Sequence, residues 1–279
     1  MDKIDLHIHT TASDGVFNLK EVVEEANKIG LKAIAISDHD TINPDLTDRI
    51  QTIDGIEVIT GTEIKCHYDD IRMEMHGYFV DPKDNKLGEI FEEIQNNRIE
   101  RIRKIAEKFN SLGKGAEINW KDIVKSAEGT PGRPHVAREL IRKGIVDNLR
   151  EAFDKYIGDD KSCYVRLKRP EYSKVIGKIH ESGGLAVAAH PASRKLYNFE
   201  VKLKEMKKNG LDGVEVFYNY SSIKKARLDP EEVERLTEKY GLLKTGGSDF
   251  HNKEDYEMGK PQIDYKYLEK MKENIKILF

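Results

Sequence analysis

The sequence predicts an α/β fold, a β/α barrel interrupted by a helical insertion. Three observations lead there. Apolar runs of strand length alternate with amphipathic helical segments at both ends of the chain. Between about Leu87 and Tyr156 that alternation gives way to helical periodicity alone. Histidines and carboxylates recur just after the strand-like runs, where the functional loops of such barrels gather.

Lys3 to His9 reads as a strand, with Ile4, Leu6 and Ile8 on one face. Asn18 is placed to cap a helix whose apolar positions are Leu19, Val22, Val23, Ala26 and Ile29, and Gly30 closes it. Ala33–Ile36 and Ile56–Ile59 read as short buried strands, and Met73–Val80 continues the sheet. The insertion opens with a long amphipathic face (Ile90, Phe91, Ile94, Ile99, Ile102, Ile105, Ala106, Phe109). Shorter helices are expected at Asp122–Ala127, Val136–Lys143 and Leu149–Tyr156. Alternation resumes with a helix ending near Glu181, the strand Leu185–Ala189 and the helix Glu200–Asn209. Then come the strand Gly213–Phe217, the helix Glu231–Tyr240 and the strand Leu242–Thr245. The expected domains are therefore a barrel over 1–86 and 157–279 and a helical subdomain over 87–156. The glycine pairs at 183–184 and 246–247 read as turn glycines.

Composition narrows the class of function. The chain has 279 residues, 38% of them hydrophobic, enough for a large core with an inserted subdomain. A net charge of -3 gives no global attraction for nucleic acid, although a local basic groove remains open. Cys66 and Cys163 lie far apart and form no CxxC pair, which argues against a disulfide framework and for a reducing compartment. The N-terminus lacks a signal-peptide core and no apolar run approaches a membrane span, so a soluble, cytoplasmic protein without a membrane partner is expected. No obligate protein partner is evident.

The chemistry lies in nine side chains: His7, His9, Asp14, His39, Glu63, His76, His190, Asp249 and His251. Their imidazoles and carboxylates form a mixed nitrogen and oxygen set suited to Mn, Fe, Co or Zn. His7 and His9 alternate on a strand and face the same way, and the turn that follows can carry Asp14 back to them. Asp249 and His251 repeat that spacing. In Ser37-Asp38-His39-Asp40, His39 is the candidate ligand, and Asp38 or Asp40 could orient an imidazole. Glu63, with two oxygens, is the candidate bridge between ions. Taken singly, each cluster also reads as an ordinary polar turn or a satisfied core histidine; their recurrence at successive strand ends favours a shared pocket. Three divalent ions would set six positive charges against three carboxylates, attracting phosphate and acidifying bound water.

These motifs resemble a known family. Asp5-Leu-His-Ile-His-Thr-Thr-Ala-Ser-Asp-Gly15, Ser37-Asp-His-Asp40, Gly61-Thr-Glu63, His76-Gly77, Ala189-His-Pro191 and Gly247-Ser-Asp-Phe-His251 look like those of the PHP (polymerase and histidinol phosphatase) family. The resemblance covers nearly the whole chain. It implies a distorted seven-stranded β/α barrel with two or three divalent metal ions, manganese foremost and iron or zinc also used. Carried over, the pattern gives one ion to His7, His9, Glu63 and Asp249. It gives a second to Asp14, His39 and His251, and a third to Glu63, His76 and His190.

Within the family, the helical insertion and Gly132-Arg133-Pro134-His135-Val136-Ala137-Arg138 look like the branch that dephosphorylates nucleoside 3′,5′-bisphosphates and trims 5′ ends of short RNA. Arg133 offers a planar fork for phosphate, and His135 could bind a phosphate oxygen or protonate a leaving group. With Pro134 and Val136 they make the expected substrate contact, at the start of a helix where free N–H groups favour anions. An ordinary capping role for Arg133 and His135 is the competing reading. The expected reaction is attack by metal-activated hydroxide on the 3′-phosphate of a small phosphorylated nucleotide. Alternatives are a 5′-to-3′ exonuclease acting on a short nucleic-acid 5′ end, a histidinol-phosphate phosphatase and a non-catalytic metal-binding module. The basic stretch Lys161, Arg166, Lys168, Arg169 and the ring of Tyr164 could face substrate, but read more simply as solvated loop and packed ring. Glu215 is a candidate partner of the ligands and not itself a ligand. His67 and His180 are expected to stand outside the chemistry.

Overall fold

The computed structural model describes residues 2–127, 131–194, 196–220, 226–254 and 256–277. Its strands are Lys3–Ile8 (β1), Leu31–Ile36 (β2), Ile50–Ile53 (β3), Ile56–Tyr68 (β4), Ile71–Tyr78 (β5), Leu185–Ala188 (β6), Gly213–Tyr218 (β7), Leu243–Gly247 (β8) and Ile263–Asp264 (β9). The helices are Leu19–Lys28 (α1), Gly88–Asn110 (α2), Trp120–Lys125 (α3), Arg133–Arg142 (α4), Leu149–Ala152 (α5), Tyr172–Glu181 (α6), Phe199–Lys208 (α7), Pro230–Lys239 (α8) and Lys266–Ile277 (α9).

Seven strands in the order β1-β2-β4-β5-β6-β7-β8 make a nearly closed barrel, as expected. Closure comes from Phe250, just past β8. Its N–H donates to His7 O at 3.2 Å, and its carbonyl accepts from His9 N at 2.9 Å. The buried Asp5 carboxylate reinforces that seam, accepting from the Ser248 N–H (2.9 Å), the Ser248 hydroxyl (2.6 Å) and the Gly259 N–H (2.8 Å). The distortion is β5, which runs antiparallel to both β4 and β6 while the other ring neighbours pair in parallel. Two strands were not expected: β3 pairs antiparallel with β4, and β9 pairs antiparallel with β1. The unexpected α9 sets Leu268 and Met271 into a core with Ile4, Leu6, Ala33, Ile59 and Val187. On β2 and β4, Ile34, Ile36 and Val58 pack with Leu19, Val22, Val23 and Ala26 of α1. Asn18 caps that helix in a reciprocal capping box with Glu21.

Contacts divide the chain into two units, Met1–Ile90 with Pro170–Phe279, and Phe91–Arg169. The helical unit therefore runs past the expected end at 156. The reason is packing: Ile157 and Cys163 are buried with Ile102, Ile105, Phe109, Val136 and Leu140, and Val165 lies against them. The Arg101 Nε–H also donates to Val165 O at 2.7 Å. The expected helix at 149–156 is α5 continued as one π-helical turn, Phe153–Ile157.

Candidate metal centre

Strand direction assembles the site. β1, β2, β4, β6 and β8 run the same way round the barrel, so their following residues gather at one end. His7 and His9 come from β1, His39 follows β2, His190 follows β6, and Asp249 and His251 follow β8. Glu63 lies within β4 beside His39, to which it forms a parallel bridge. His76 arrives differently. It sits on the antiparallel β5 directly opposite Glu63, so register puts both side chains on one face of the sheet. His190 (φ 26°) and Asp249 (φ 56°) adopt left-handed backbone, uncommon for such residues and concentrated at functional sites.

Two glycines make room. A Cβ on Gly247 would stand 2.3 Å from the His7 Cβ and 2.4 Å from its nitrogen, and one on Gly246 would stand 2.2 Å from Phe217 O. This corrects the reading of the pair as turn glycines: both belong to β8, and close approach of neighbouring chain requires them. Gly183, by contrast, has the positive φ of a turn.

Four donors converge first. His7 Nε2 and His9 Nε2 are 3.0 Å apart, Asp249 Oδ1 is 3.2 Å from each, and Glu63 Oε2 is 3.6 Å from each. Ligands held ~2.1 Å from one ion stand roughly 3–3.5 Å from each other, which these separations match. A second group adds His9, Asp14, His39 and His251. Asp14 Oδ1 is 3.1 Å from His251 Nε2, and Asp14 Oδ2 is 3.6 Å from His39 Nε2. Glu63 reaches both sides: its Oε2 lies 2.9 Å from His39 Nδ1 and its Oε1 lies 2.9 Å from His190 Nε2. The third expected set is only partly assembled. His190 groups with Glu63, whereas His76 packs its ring edge-on against His7, centroids 4.3 Å apart, and its Nε2 lies 3.5 Å from Glu215.

The ring nitrogens test whether this cluster suits metal. Among the described residues, His9 Nδ1, His39 Nδ1 and both nitrogens of His76 are buried without a hydrogen-bond partner. His39 Nδ1 is close to Glu63 Oε2 yet lacks hydrogen-bond geometry toward it, as two lone pairs aimed at a common point would be. Buried polar atoms ordinarily find partners, and divalent ions would satisfy this set. The donors present fit such ions.

Burial and neighbouring charges act on the same groups. Burial opposes charge on His7, but the carboxylates of Glu215, Asp249 and Glu63 outweigh it and raise its pKa well above the ordinary value. Glu63, against the cost of burial, raises His190 to about 9. Burial, aided by the charges of His39 and His7, pulls His9 down to about 4. Burial likewise lowers His76. Although burial disfavours its charge, Asp249 is held far below the usual carboxylate range by His7 and His9.

Two carboxylates read as possible supports, Asp38 and Glu215, take different parts. Asp38 orients no imidazole; it accepts from Thr10 N (2.7 Å), Thr10 Oγ1 (2.7 Å) and Ser13 Oγ (2.6 Å), anchoring the turn that carries Asp14. Asp40 accepts from the Lys65 N–H at 2.8 Å. The carboxylate that holds the His7 imidazole is Glu215, 2.9 Å from His7 Nδ1, with its other oxygen accepting the backbone N–H of His190 at 2.8 Å. Tyr218 donates to Asp249 Oδ2 at 2.8 Å, leaving Oδ1 toward the histidines. Glu74 escaped the sequence reading altogether. It is buried, groups with His39 and Glu63, and pairs with Arg194; its place two residues before His76 on a strand was the available signal.

A cavity of about 810 Å³ opens on this cluster, lined by His39, Glu63, Glu74, His190, Asp249 and His251. Arg194, Arg227, Tyr197, Tyr218 and Tyr256 also line it. In the helical unit, Arg133 Nη1 donates to Asp159 Oδ1 (2.8 Å) and Ile157 O (3.1 Å), and its guanidinium stands over the Phe153 and Tyr164 rings. His135 Nδ1 accepts the Gly132 N–H at 3.2 Å, a capping contact, and Pro134 and Val136 lie in the first turn of α4. Lys161, Arg166 and Lys168 are exposed, and Tyr164 is part-buried beside Arg101 and Arg133. No described helix is long and apolar enough to cross a membrane.

Known proteins carry the same plan. The PHP domain model matches residues 5–279. A 5′-3′ exoribonuclease of Haemophilus influenzae is 32% identical over 89% of this chain and 90% of its own length. A 3′,5′-nucleoside bisphosphate phosphatase of Chromobacterium violaceum is 28% identical over 90% of this chain and 88% of its own. Among solved structures, one from Bifidobacterium adolescentis described as a metal-dependent phosphoesterase is 27% identical. It covers 96% of this chain and 94% of its own, with a TM-score of 0.71. On the match of nearly its whole length, this chain belongs to the PHP family and is a hydrolase of phosphoric esters.

Proposed function

We propose that this protein removes the 3′-phosphate from nucleoside 3′,5′-bisphosphates, using two or three divalent ions with manganese foremost. The observation that carries this is the shape and lining of one cavity: phosphate-competent donors in its floor, arginines and three tyrosine rings in its wall. Its volume suits a single nucleotide, within the usual range for small-molecule sites of ~300–1,000 Å³. His7, His9, Glu63 and Asp249 would hold one ion, and Asp14, His39 and His251 would hold another. Glu63 and His190 take part in a third, with His76 as the expected further donor. Such ions, when bound, polarise phosphoryl oxygens and lower the pKa of bound water.

The remaining steps belong to the chain. Glu215 holds His7 through Nδ1, which leaves Nε2 free as a donor toward the floor of the cavity. Tyr218 fixes the carboxylate of Asp249. Arg133, Pro134, His135 and Val136 are the proposed substrate contact of the helical unit, Arg133 by bidentate bonding and His135 as acid toward the leaving oxygen.

A second reading, 5′-to-3′ cleavage of short RNA, is favoured by the exoribonuclease name of the Haemophilus influenzae relative. One experiment separates them. Manganese-loaded protein is incubated with adenosine 3′,5′-bisphosphate and with a 5′-phosphorylated RNA oligomer, and phosphate release and chain length are followed together. Phosphate from the nucleotide with an intact oligomer supports the proposal. Shortening at comparable efficiency supports the nuclease, and inertness toward both overturns the two.

A further inference from the structure

The cavity holds two arginines among its described lining residues, and they are not equivalent. Arg194 is already engaged, its Nη2 bonded to the buried carboxylate of Glu74. Arg227 has no side-chain partner among the described residues, and it is exposed into a concave wall that also carries the candidate ligands. A free arginine on a convex surface is unremarked, because water solvates it. Here the backbone that carries it is pinned beside the cavity. The N–H groups of Arg227 and Leu228 both donate to Ala192 O, at 2.7 and 3.3 Å. Ala192 belongs to the short turn Pro191–Ser193 that follows His190, whose Nδ1 lies 3.1 Å from Ser193 Oγ. The same turn thus holds a candidate metal ligand and the uncommitted cation.

Charge says what that cation is for. The carboxylates among the described lining residues are Glu63, Glu74 and Asp249. Glu63 and Asp249 face the clustered histidines, and Arg194 answers Glu74. Among the described lining residues no carboxylate is left for Arg227, so a substrate can supply its counter-charge. The reacting phosphoryl group belongs at the donor cluster. A planar fork elsewhere in the same cavity is matched by a second phosphoryl group on the same molecule.

We propose that Arg227 is the specificity-determining residue that receives the non-reacting phosphate of a doubly phosphorylated nucleotide. This rests on the nucleotide phosphatase reading above. It assigns to the barrel unit the preference for two phosphates over one.

The test compares wild type, Arg227→Ala and Arg227→Lys on adenosine 3′,5′-bisphosphate and adenosine 3′-monophosphate, which differ only in the second phosphate. Steady-state kcat/KM is measured with manganese, and Kd for both nucleotides is measured by calorimetry on metal-stripped protein. A charged hydrogen-bonded contact is worth about ten- to a hundredfold. Wild type should therefore prefer the bisphosphate at least tenfold. Arg227→Ala should erase that preference while leaving the monophosphate within about twofold, and Arg227→Lys should keep part of it. Equal losses on both nucleotides, or no loss on either, overturn the proposal. If wild type turns over neither nucleotide, the phosphatase reading fails by itself and the calorimetric pair decides. A second-phosphate preference in Kd that Arg227→Ala abolishes still supports the assignment, and an unchanged preference, or none in wild type, refutes it.

Discussion

Replacing Glu215 with glutamine keeps the side chain's shape and removes its charge, in a place where the structure allows no easy accommodation. One oxygen of Glu215 faces His7 Nδ1 at 2.9 Å and the other accepts the His190 N–H at 2.8 Å. Both partners need an acceptor if His7 is to present Nε2 to an ion, because its proton then sits on Nδ1. Glutamine has one acceptor oxygen and one donor nitrogen. Either the amide nitrogen faces His7, forcing the proton to Nε2 and closing that ligand, or it faces the His190 N–H and leaves a buried donor unpaired at a cost of about 1–3 kcal/mol. Loss of such a supporting carboxylate typically weakens metal binding about 10–100-fold, equivalent to about 1.4–2.7 kcal/mol. The assay is competition for Mn²⁺ against a chromophoric chelator, with thermal unfolding of the metal-stripped protein as a check on folding. Glu215→Asp, which keeps the charge at a shorter reach, should fall between. A folded Glu215→Gln protein that binds manganese within about twofold of wild type would refute the reasoning.

Three further outcomes follow from the same geometry. Gly247→Ala forces a Cβ to 2.3 Å from His7; overpacking of about 1–3 kcal/mol or more should lower Tm by several degrees and reduce manganese content together, and normal values of both would contradict the packing argument. Arg133→Ala and His135→Ala should each lower kcat/KM on adenosine 3′,5′-bisphosphate about tenfold or more, and His135→Ala should cost less on p-nitrophenyl phosphate, whose leaving group needs little acid; an unchanged kcat/KM on the bisphosphate would remove these residues from the reaction. His180 is raised by its bond to Asp212, 2.8 Å away, with burial opposing. A raised histidine stabilises fully below its unfolded value near 6.5 and progressively less as pH climbs through the folded value. Because this side chain is 36% exposed, screening limits the pair to about 0.5–1 kcal/mol. His180→Gln should therefore lower Tm by about 1–3 °C below pH 6.5 and by less in alkaline buffer, as differential scanning fluorimetry across pH would register; a deficit that grows with pH would reverse the assignment.

Why some of this was legible in the sequence and some was not has a physical basis in particular residues. A strand's period of two and a helix's period near 3.6 survive in the apolar positions of β1, β2 and α1, because those faces are buried against one another. β4 extends beyond the expected Ile56–Ile59 to Tyr68. Its second half does alternate, Ile64, Cys66 and Tyr68 against Glu63, Lys65 and His67, but Gly61 and Thr62 interrupt the apolar run and hide the continuity. Strand direction is equally silent. Nothing in Met73–Val80 encodes that β5 runs against its neighbours, so His76 could be named but not placed. Short β3 and β9 owe their existence to partners distant in the chain, which no local period records.

The candidate ligands were readable because a metal centre requires particular side chains at particular offsets, whereas the residues that hold them are constrained only by where they meet in space. Asp5, Asp38 and Glu215 make the point. Each is a buried carboxylate that meets its hydrogen-bond partners only when distant segments come together: Ser248 and Gly259 for Asp5, Thr10 and Ser13 for Asp38, His7 and His190 for Glu215. A buried carboxylate without such partners would be expensive, so each of these couples the closed seam to the geometry of the donor cluster. Damage to the seam should then be felt at the donors, because Asp5 also accepts the His7 N–H at 3.2 Å and joins β8 to β1 at the residue where the first ligand begins. The barrel and its site are in this sense one hydrogen-bonded object, and stability and metal affinity should move together in variants at Asp5, Glu215 and Gly247.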